Sequence, residues 1–283
     1  MKIHHLNCGT MQPLAGPLLY AGGQPAFLCC HVLLVEMPEQ LVLIDSGVGL
    51  ADIAASKERL GGAFVQVVRP RLDAAETARS QVEALGFAAD DVRDIVLTHL
   101  DVDHVGGIAD FPRARVHVLA TEHAAAHAVE SLLEKQRYRR AQWGHGPNWV
   151  LHEPDGEAWN GFAAARGLAG MAPDILMIPL AGHTRGHAGI AVDTGDGWLL
   201  HAGDAYFHHG QLSAHSSCPL GLAAFQRMMC ENNRQRAANV QRLRELALSA
   251  QATVEIICAH DPREWQSHTT HATATRRTAR SSP

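Results

Sequence analysis

The sequence lacks an excess of positive charge: 24 Lys and Arg stand against 29 Asp and Glu, a formal net charge of −5. No basic surface follows from that balance, so a nucleic-acid partner is not expected. No apolar run approaches the roughly 18 residues a membrane-spanning helix needs. The first residues also show no basic stretch followed by a long apolar core and a cleavage site. The six cysteines (Cys8, Cys29, Cys30, Cys218, Cys230, Cys258) form no CxxC pair and no zinc-ribbon spacing. Several of them lie in apolar runs, as reduced core thiols do. There is no internal repeat. These absences lead to the expectation of a cytoplasmic protein with no nucleic-acid or membrane partner; oligomeric state is not legible.

What is present is a globular composition. With 283 residues, 46% hydrophobic and 19% charged, the chain can bury a sizeable core. Strands are expected within Phe27–Met37, at Leu41–Ile44, at Ile95–Leu97, at Arg115–Leu119, at Ile175–Pro179, at Ala188–Asp193, at Trp198–His201 and at Val254–Cys258. Helices are expected over Asp73–Leu85, with Gly86 as its stop, from Thr121 to about Arg137, and over Leu222–Leu248, where Glu231-Asn232-Asn233 weakens the pattern. Residues 138–172 have no clear period and carry Trp143, Trp149 and Trp159, which suggests an ordered cap or pocket wall. The Ser/Thr/Arg-rich stretch 266–283 reads as a mobile tail. Two blocks of strands, each followed by helices, suggest two β-rich halves with helices outside.

The stretch Thr98-His99-Leu100-Asp101-Val102-Asp103-His104-Val105-Gly106-Gly107 concentrates four candidate metal ligands within six residues. Imidazole nitrogens and carboxylate oxygens suit a borderline or hard divalent cation. Read as extended chain, it puts His99, Asp101 and Asp103 on one side, with the two glycines allowing a tight turn behind. Three further candidates also follow short apolar runs: His183 in Gly182-His183-Thr184-Arg185-Gly186-His187, Asp204 in Gly203-Asp204, and His260 in Ala259-His260-Asp261. Any one of them is unremarkable as a structural residue. Four such strand ends in one chain are not.

This ordered set, HxDxDH, GHTxGH, GD and a final AHD, resembles the metallo-β-lactamase-fold hydrolases, from Asp45-Ser46-Gly47 to His260. The resemblance implies an α/β layered fold, an αββα sandwich, as one hydrolase domain over residues 1–265 with an insertion at 138–172. It implies two divalent cations at the edge between the sheets. His99, Asp101 and His183 would hold one and Asp103, His104 and His260 the other, with Asp204 bridging and His187 behind the ligands. Asp45, with Ser46 in place of the usual Thr, is expected to hydrogen-bond near the site. The departure is Asp101, where the common motif has histidine. Zinc is the first expectation for both ions, and the carboxylate shifts the first site toward Fe or Mn relative to zinc.

Two cations about 3.5–4 Å apart lower the pKa of a shared water toward neutrality. The leading expectation is therefore hydrolysis of a small ester, lactone or thioester, similar to the acyl-homoserine-lactonase and glyoxalase II branches. Asp103 would orient the nucleophile and pass a proton to the leaving group, and Tyr206 would donate to the developing oxyanion. Arg139, Trp143 and Trp149 are the candidate substrate-binding residues. The alternatives are an iron-dependent oxidative enzyme resembling persulfide dioxygenases, and a non-catalytic ligand-binding member of the fold.

Overall fold

The computed structural model describes residues 1–14, 16–20, 27–171, 174–251 and 253–269. Twelve strands make two six-stranded sheets among these residues. The first sheet is built from β1 (Lys2–Asn7), β2 (His31–Glu36), β3 (Leu41–Ile44), β4 (Val92–Val96), β5 (Arg115–Leu119) and β6 (Asn148–His152), in that spatial order. β1 to β3 pair antiparallel, and β3 to β6 pair parallel. The second sheet holds β7 (Glu157–Trp159), β8 (Phe162–Gly167), β9 (Ile175–Pro179), β10 (Ala188–Asp193), β11 (Trp198–His201) and β12 (Val254–Ile257), with β12 pairing parallel to β11 and the rest antiparallel.

The period of two along each strand sorts side chains into separate cores. Leu33, Val35, Val42, Ile44 and Val96 face Ile175, Met177, Ile190 and Val192 between the sheets. Their neighbours Leu34, Leu41, Leu43 and Ile95 point the other way, onto Ala78, Val82, Ala125 and Ala126 of the helices Ala78–Ala84 and Ala120–Ala128. On the far side, Ile178, Ala191 and Leu200 meet Leu243 and Leu246 of the helix Asn233–Ala247. Helices therefore cover both outer faces of two packed sheets, the expected αββα sandwich.

Several expected elements are divided by local chemistry. The helix expected over Asp73–Leu85 is a 3₁₀ turn, Ala74–Glu76, then an α-helix that starts afresh where the Thr77 hydroxyl accepts from Ser80 N–H. The helix expected to reach Arg137 breaks at Val129, φ +48°, and restarts at a Ser131/Glu134 capping box as Leu132–Arg137. The third, expected over Leu222–Leu248, divides into Leu220–Met229 and Asn233–Ala247, with the Asn232 carboxamide capping the second.

Residues 138–172 are not a cap. They carry β6, which finishes the first sheet, and β7 and β8, which begin the second; β6 and β7 are edge strands with no buried residue, and of β8 only Phe162 and Ala165 are buried, so no apolar period results. At the other end, residues 262–269 form a helix, so the stretch read as a tail from residue 266 begins in helical structure. The remainder of that stretch, 270–283, lies outside the described residues. No helix among the described residues is long and apolar enough to cross a membrane.

Candidate metal site

β3 and β4 run parallel, as do β11 and β12, so parallel neighbours deliver their C-terminal residues to the same edge of the sandwich. Asp45 follows β3, Thr98 and His99 follow β4, Asp204 follows β11 and His260 follows β12, while His183 lies in the β9–β10 connection. All seven residues expected as ligands converge there and are buried. His99 Nε2 lies 3.5 Å from Asp101 Oδ2, and His183 Nε2 lies 3.0 Å from the same oxygen and 3.4 Å from Asp204 Oδ2. His104 Nε2 is 3.3 Å from Asp204 Oδ1, and His260 Nε2 is 3.1 Å from Asp204 Oδ2 and 3.6 Å from Asp103 Oδ2. Two ligands on one tetrahedral cation with bonds of about 2.0–2.1 Å stand roughly 3.3 Å apart.

The local backbone is not the extended chain expected from the sequence. Asp101 is the last extended residue before a one-turn helix, Val102–Val105, and its carboxylate makes no bond to the helix end. In a strand, His104 would point away from Asp103; the helical turn lets both reach the site. Gly106 and Gly107 also serve a different purpose from the expected tight turn. A Cβ on Gly107 would lie 2.5 Å from the Ser46 carbonyl oxygen, and one on Gly106 would meet Asp52. The glycines are there because the Asp45–Gly47 turn packs directly against them.

The second nitrogens of three of the four candidate histidines are fixed by the protein. His104 Nδ1–H donates to Asp45 Oδ2 at 2.8 Å and His260 Nδ1–H to the Cys29 carbonyl at 2.7 Å. The Thr98 hydroxyl donates to Asp45, so it accepts from His99 Nδ1–H at 2.9 Å. Each ring therefore presents a bare Nε2 to the site, as metal-binding histidines do. Asp45, held at φ +60°, organises this arrangement as expected, also accepting from Thr98 N–H at 2.7 Å. His187 lies behind the site: its Nδ1–H donates to the Leu180 carbonyl and its Nε2 accepts from Asp204 N–H at 2.9 Å.

His99 Nε2, His104 Nε2 and Asp204 Oδ1 are buried without a hydrogen-bond partner, an arrangement that costs about 1–3 kcal/mol per group when left so. Three groups of side chains lie close enough to share an ion: His99/Asp101/His183, His99/His104/Asp204 and Cys30/Asp103/His260. These donors fit divalent cations. Burial pushes the Asp101 carboxyl up, but the Arg137 guanidinium and His99 outweigh it and hold it well below the usual carboxylate range. Asp204 is likewise raised by burial and held well below that range by His260, His104 and His183. The site is a buried anionic cluster ready to meet a cation.

A cavity of about 390 Å³ opens onto Asp101, Asp103, His183, Asp204 and His260. Its walls are mainly apolar, with Leu28, Leu60, Phe64, Phe207, Phe225 and Met229 among them. Arg139 lines it as well, its Nη2 donating to the Glu58 carbonyl. Three other expectations are corrected. Tyr206 is fully buried in the outer core of the second sheet, its hydroxyl donating to Glu264 at 2.9 Å, so it does not reach the site. Trp143 is buried in the outer core of the first sheet. Trp149 sits on β6 opposite Val116 and packs against that same core and His123. All three tyrosines are engaged elsewhere, since Tyr20 hydrogen-bonds the Phe27 carbonyl and Tyr138 hydrogen-bonds Glu122.

Two residues at the site carry no sequence signal. Glu122 is fully buried; its Oε1 accepts from Leu100 N–H and the Tyr138 hydroxyl, and its Oε2 from the Thr184 hydroxyl and Gly186 N–H. It ties the His99–Asp103 loop to the His183 loop. Arg137 reaches Asp101 from the end of its helix at 3.1 Å. In the sequence the first is one acid in an alanine-rich helix, and the second is one of three arginines in four residues; nothing local distinguishes either from a solvated charge.

Residues 28–238 match the family model described as the metallo-beta-lactamase superfamily. A probable metallo-hydrolase of Mycobacterium tuberculosis is 46% identical over 266 residues, covering 94% of this chain and 82% of the relative. An N-acyl homoserine lactonase of Bacillus thuringiensis is 25% identical over 167 residues, 58% of each chain. Among solved structures, a B. thuringiensis AiiA variant with N-decanoyl-L-homoserine bound at its active site superposes with a TM-score of 0.68 at 19% identity, covering 94% of this chain and 95% of that one. A likeness at that identity speaks for the fold.

Proposed function

The chain belongs to the metallo-β-lactamase superfamily, and from that premise we propose a metal-dependent hydrolase that cleaves a small, largely apolar ester, lactone or thioester. The observation that carries this reading is the conjunction of partnerless buried donor atoms with an apolar cavity opening directly onto them. His99, Asp101 and His183 form one ligand set and Asp103, His104 and His260 the other, with Asp204 between them. Bound divalent cations would supply a water activated near neutral pH and an electrophile for the scissile carbonyl. Asp103 faces the cavity and is the chain's own group for orienting a nucleophile and returning a proton to the leaving atom. With Tyr206 turned away, no tyrosine hydroxyl assists at the oxyanion.

The cavity favours a substrate with an apolar acyl part. Phe207 packs edge-on to His260 at 4.9 Å and contacts Phe225, giving an aromatic wall beside the ligands. Burying each additional methylene contributes about 0.8 kcal/mol. Activity should therefore rise with acyl length until the cavity is filled. The similarity to N-acyl homoserine lactonases makes acylated lactones the first class to try. The test is purified protein of measured metal content, assayed against lactones, aryl esters and thioesters of graded acyl length. Full metal occupancy with no turnover on any class would remove the hydrolase reading. Redox-active iron with oxygen uptake would favour the oxidative alternative, which Asp101 motivates.

A further inference from the structure

The carboxylate at position 101 brings a partner. Asp101 Oδ2 faces His183 Nε2 at 3.0 Å and His99 Nε2 at 3.5 Å, while Oδ1 is turned away and lies 3.1 Å from Arg137 Nη1. Both residues are buried, Asp101 at 6% and Arg137 at 3% exposure. The guanidinium is held independently of Asp101, since it also donates to the carbonyls of His183 and Met229. Arg137 is the last residue of Leu132–Arg137, a helix fixed at its start by the Ser131/Glu134 capping box. The same Glu134 pairs with Arg185 at 2.8 Å, in the loop that carries His183. The fork is thus placed by backbone carbonyls and a capped helix, and the carboxylate must conform to it.

We propose that Arg137 is a positioning residue that makes Asp101 a single-oxygen ligand of a charge-neutral pair, and thereby sets the metal preference of the first site. The inference rests on the metal-site reading above. With Oδ1 committed to a guanidinium, Asp101 offers one oxygen to an ion shared with His99 and His183. Closing on the ion through both oxygens, the mode that larger, oxygen-seeking cations use readily, would require Oδ1 to turn away from the guanidinium or to be shared with it. The paired charges sum to zero, so the first site keeps only the charge of the shared Asp204, as if position 101 held a neutral ligand. That combination of two imidazoles, one oxygen and low net charge suits a four-coordinate zinc ion. The shift toward Mn or Fe expected from a lone aspartate is cancelled by a residue distant in sequence.

The experiment measures Zn²⁺ and Mn²⁺ affinities by chelator competition for the full chain and for Arg137→Gln, Arg137→Lys and Asp101→His, together with the double variant Asp101→His/Arg137→Gln. The expected result for Arg137→Gln is at least a tenfold fall in the Zn²⁺-to-Mn²⁺ affinity ratio as Oδ1 is freed. Arg137→Lys, which keeps the charge without the fork, should fall between. Asp101→His alone should lose first-site metal, because it leaves the guanidinium unpaired beside a neutral ring, and the double variant should regain it. An unchanged ratio in the folded Arg137 variants would overturn the proposal. Should those variants fail to fold, a double variant binding no better than Asp101→His would overturn it as well. Absence of tight divalent binding by the unaltered chain would instead remove the metal-site reading itself.

Discussion

Replacing Glu122 by Gln tests whether the two ligand-bearing loops are held in place by one buried carboxylate. Each Glu122 oxygen accepts one backbone N–H and one hydroxyl: Leu100 and Tyr138 at 3.0 Å each on Oε1, and Gly186 at 3.0 Å and Thr184 at 2.7 Å on Oε2. A carboxamide has a single acceptor oxygen, so in either orientation its NH₂ faces two donors. The hydroxyl can rotate; the backbone N–H cannot, and remains buried without an acceptor. Hydrogen bonds to charged groups contribute about 1.5–3 kcal/mol each, so a loss of about 2–5 kcal/mol is expected, against a total stability of roughly 5–15 kcal/mol. At about 2–4 °C per kcal/mol this is a fall in Tm of roughly 4–20 °C. Leu100 lies between two ligand positions and Thr184 follows a third, so metal affinity should also fall about 10–100-fold. Urea denaturation and chelator competition on the same preparations give both numbers. Stability within about 0.5 kcal/mol of the unaltered protein, with unchanged affinity, would refute the idea that Glu122 links the loops.

Phe207→Ala should lower kcat/KM about tenfold for long-chain substrates, roughly 1.4 kcal/mol of lost apolar contact, with metal content retained. Trp149→Ala should leave kinetics unaltered and cost only stability, because its ring packs on the outer core of the first sheet; a change in substrate range would contradict that placement. Glu264 titrates unusually: burial, then Asp261, pushes its carboxyl up to about 8. The native state keeps a proton that the unfolded chain loses from about pH 4.5, so this group's contribution is fully present below that pH and is lost as pH rises toward 8. Denaturation of Glu264→Gln at pH 5 and pH 8 should show a flatter dependence than the unaltered protein, by a few kcal/mol, and equal slopes would disprove the assignment. Stripping metal with a chelator should lower Tm by about 8–16 °C, for occupancy near a thousand times Kd, and re-addition of the ion should restore it. Indifference to the chelator after verified metal loss would count against ligand-held loops.

Most strands of the sandwich are legible in the chain because each buries an apolar run whose alternation is local information. The candidate ligands are legible for a related reason: several follow the C-terminal end of such a run, as Asp204 follows Trp198–His201 and His260 follows Val254–Ile257. Helix breaks were hidden where the competing signals are small. Val129 sits in the left-handed region between two helix-forming stretches, and Ser131 looks no different from any other serine until its cap closes. The places of Trp143 and Trp149 are not legible because an aromatic residue suits a pocket wall and an outer core equally, and only pairing of β6 with β5 decides which face Trp149 occupies.

Sequence by itself determined the class of fold, the family and the candidate metal ligands, since these depend on residue type and near-neighbour spacing. Tertiary structure alone decided what those residues are attached to. Arg137 turns inward while Arg140 is exposed, because the helix Leu132–Arg137 ends facing Asp101 whereas Arg140 begins a separate 3₁₀ turn. Tyr206 points into the outer core although it follows Asp204 by two residues, because Glu264 waits there for its hydroxyl. The charge at position 101 can be read from one letter. Its effect on the site depends on a guanidinium 36 residues away in the chain and 3.1 Å away in space, a relation that only packing creates.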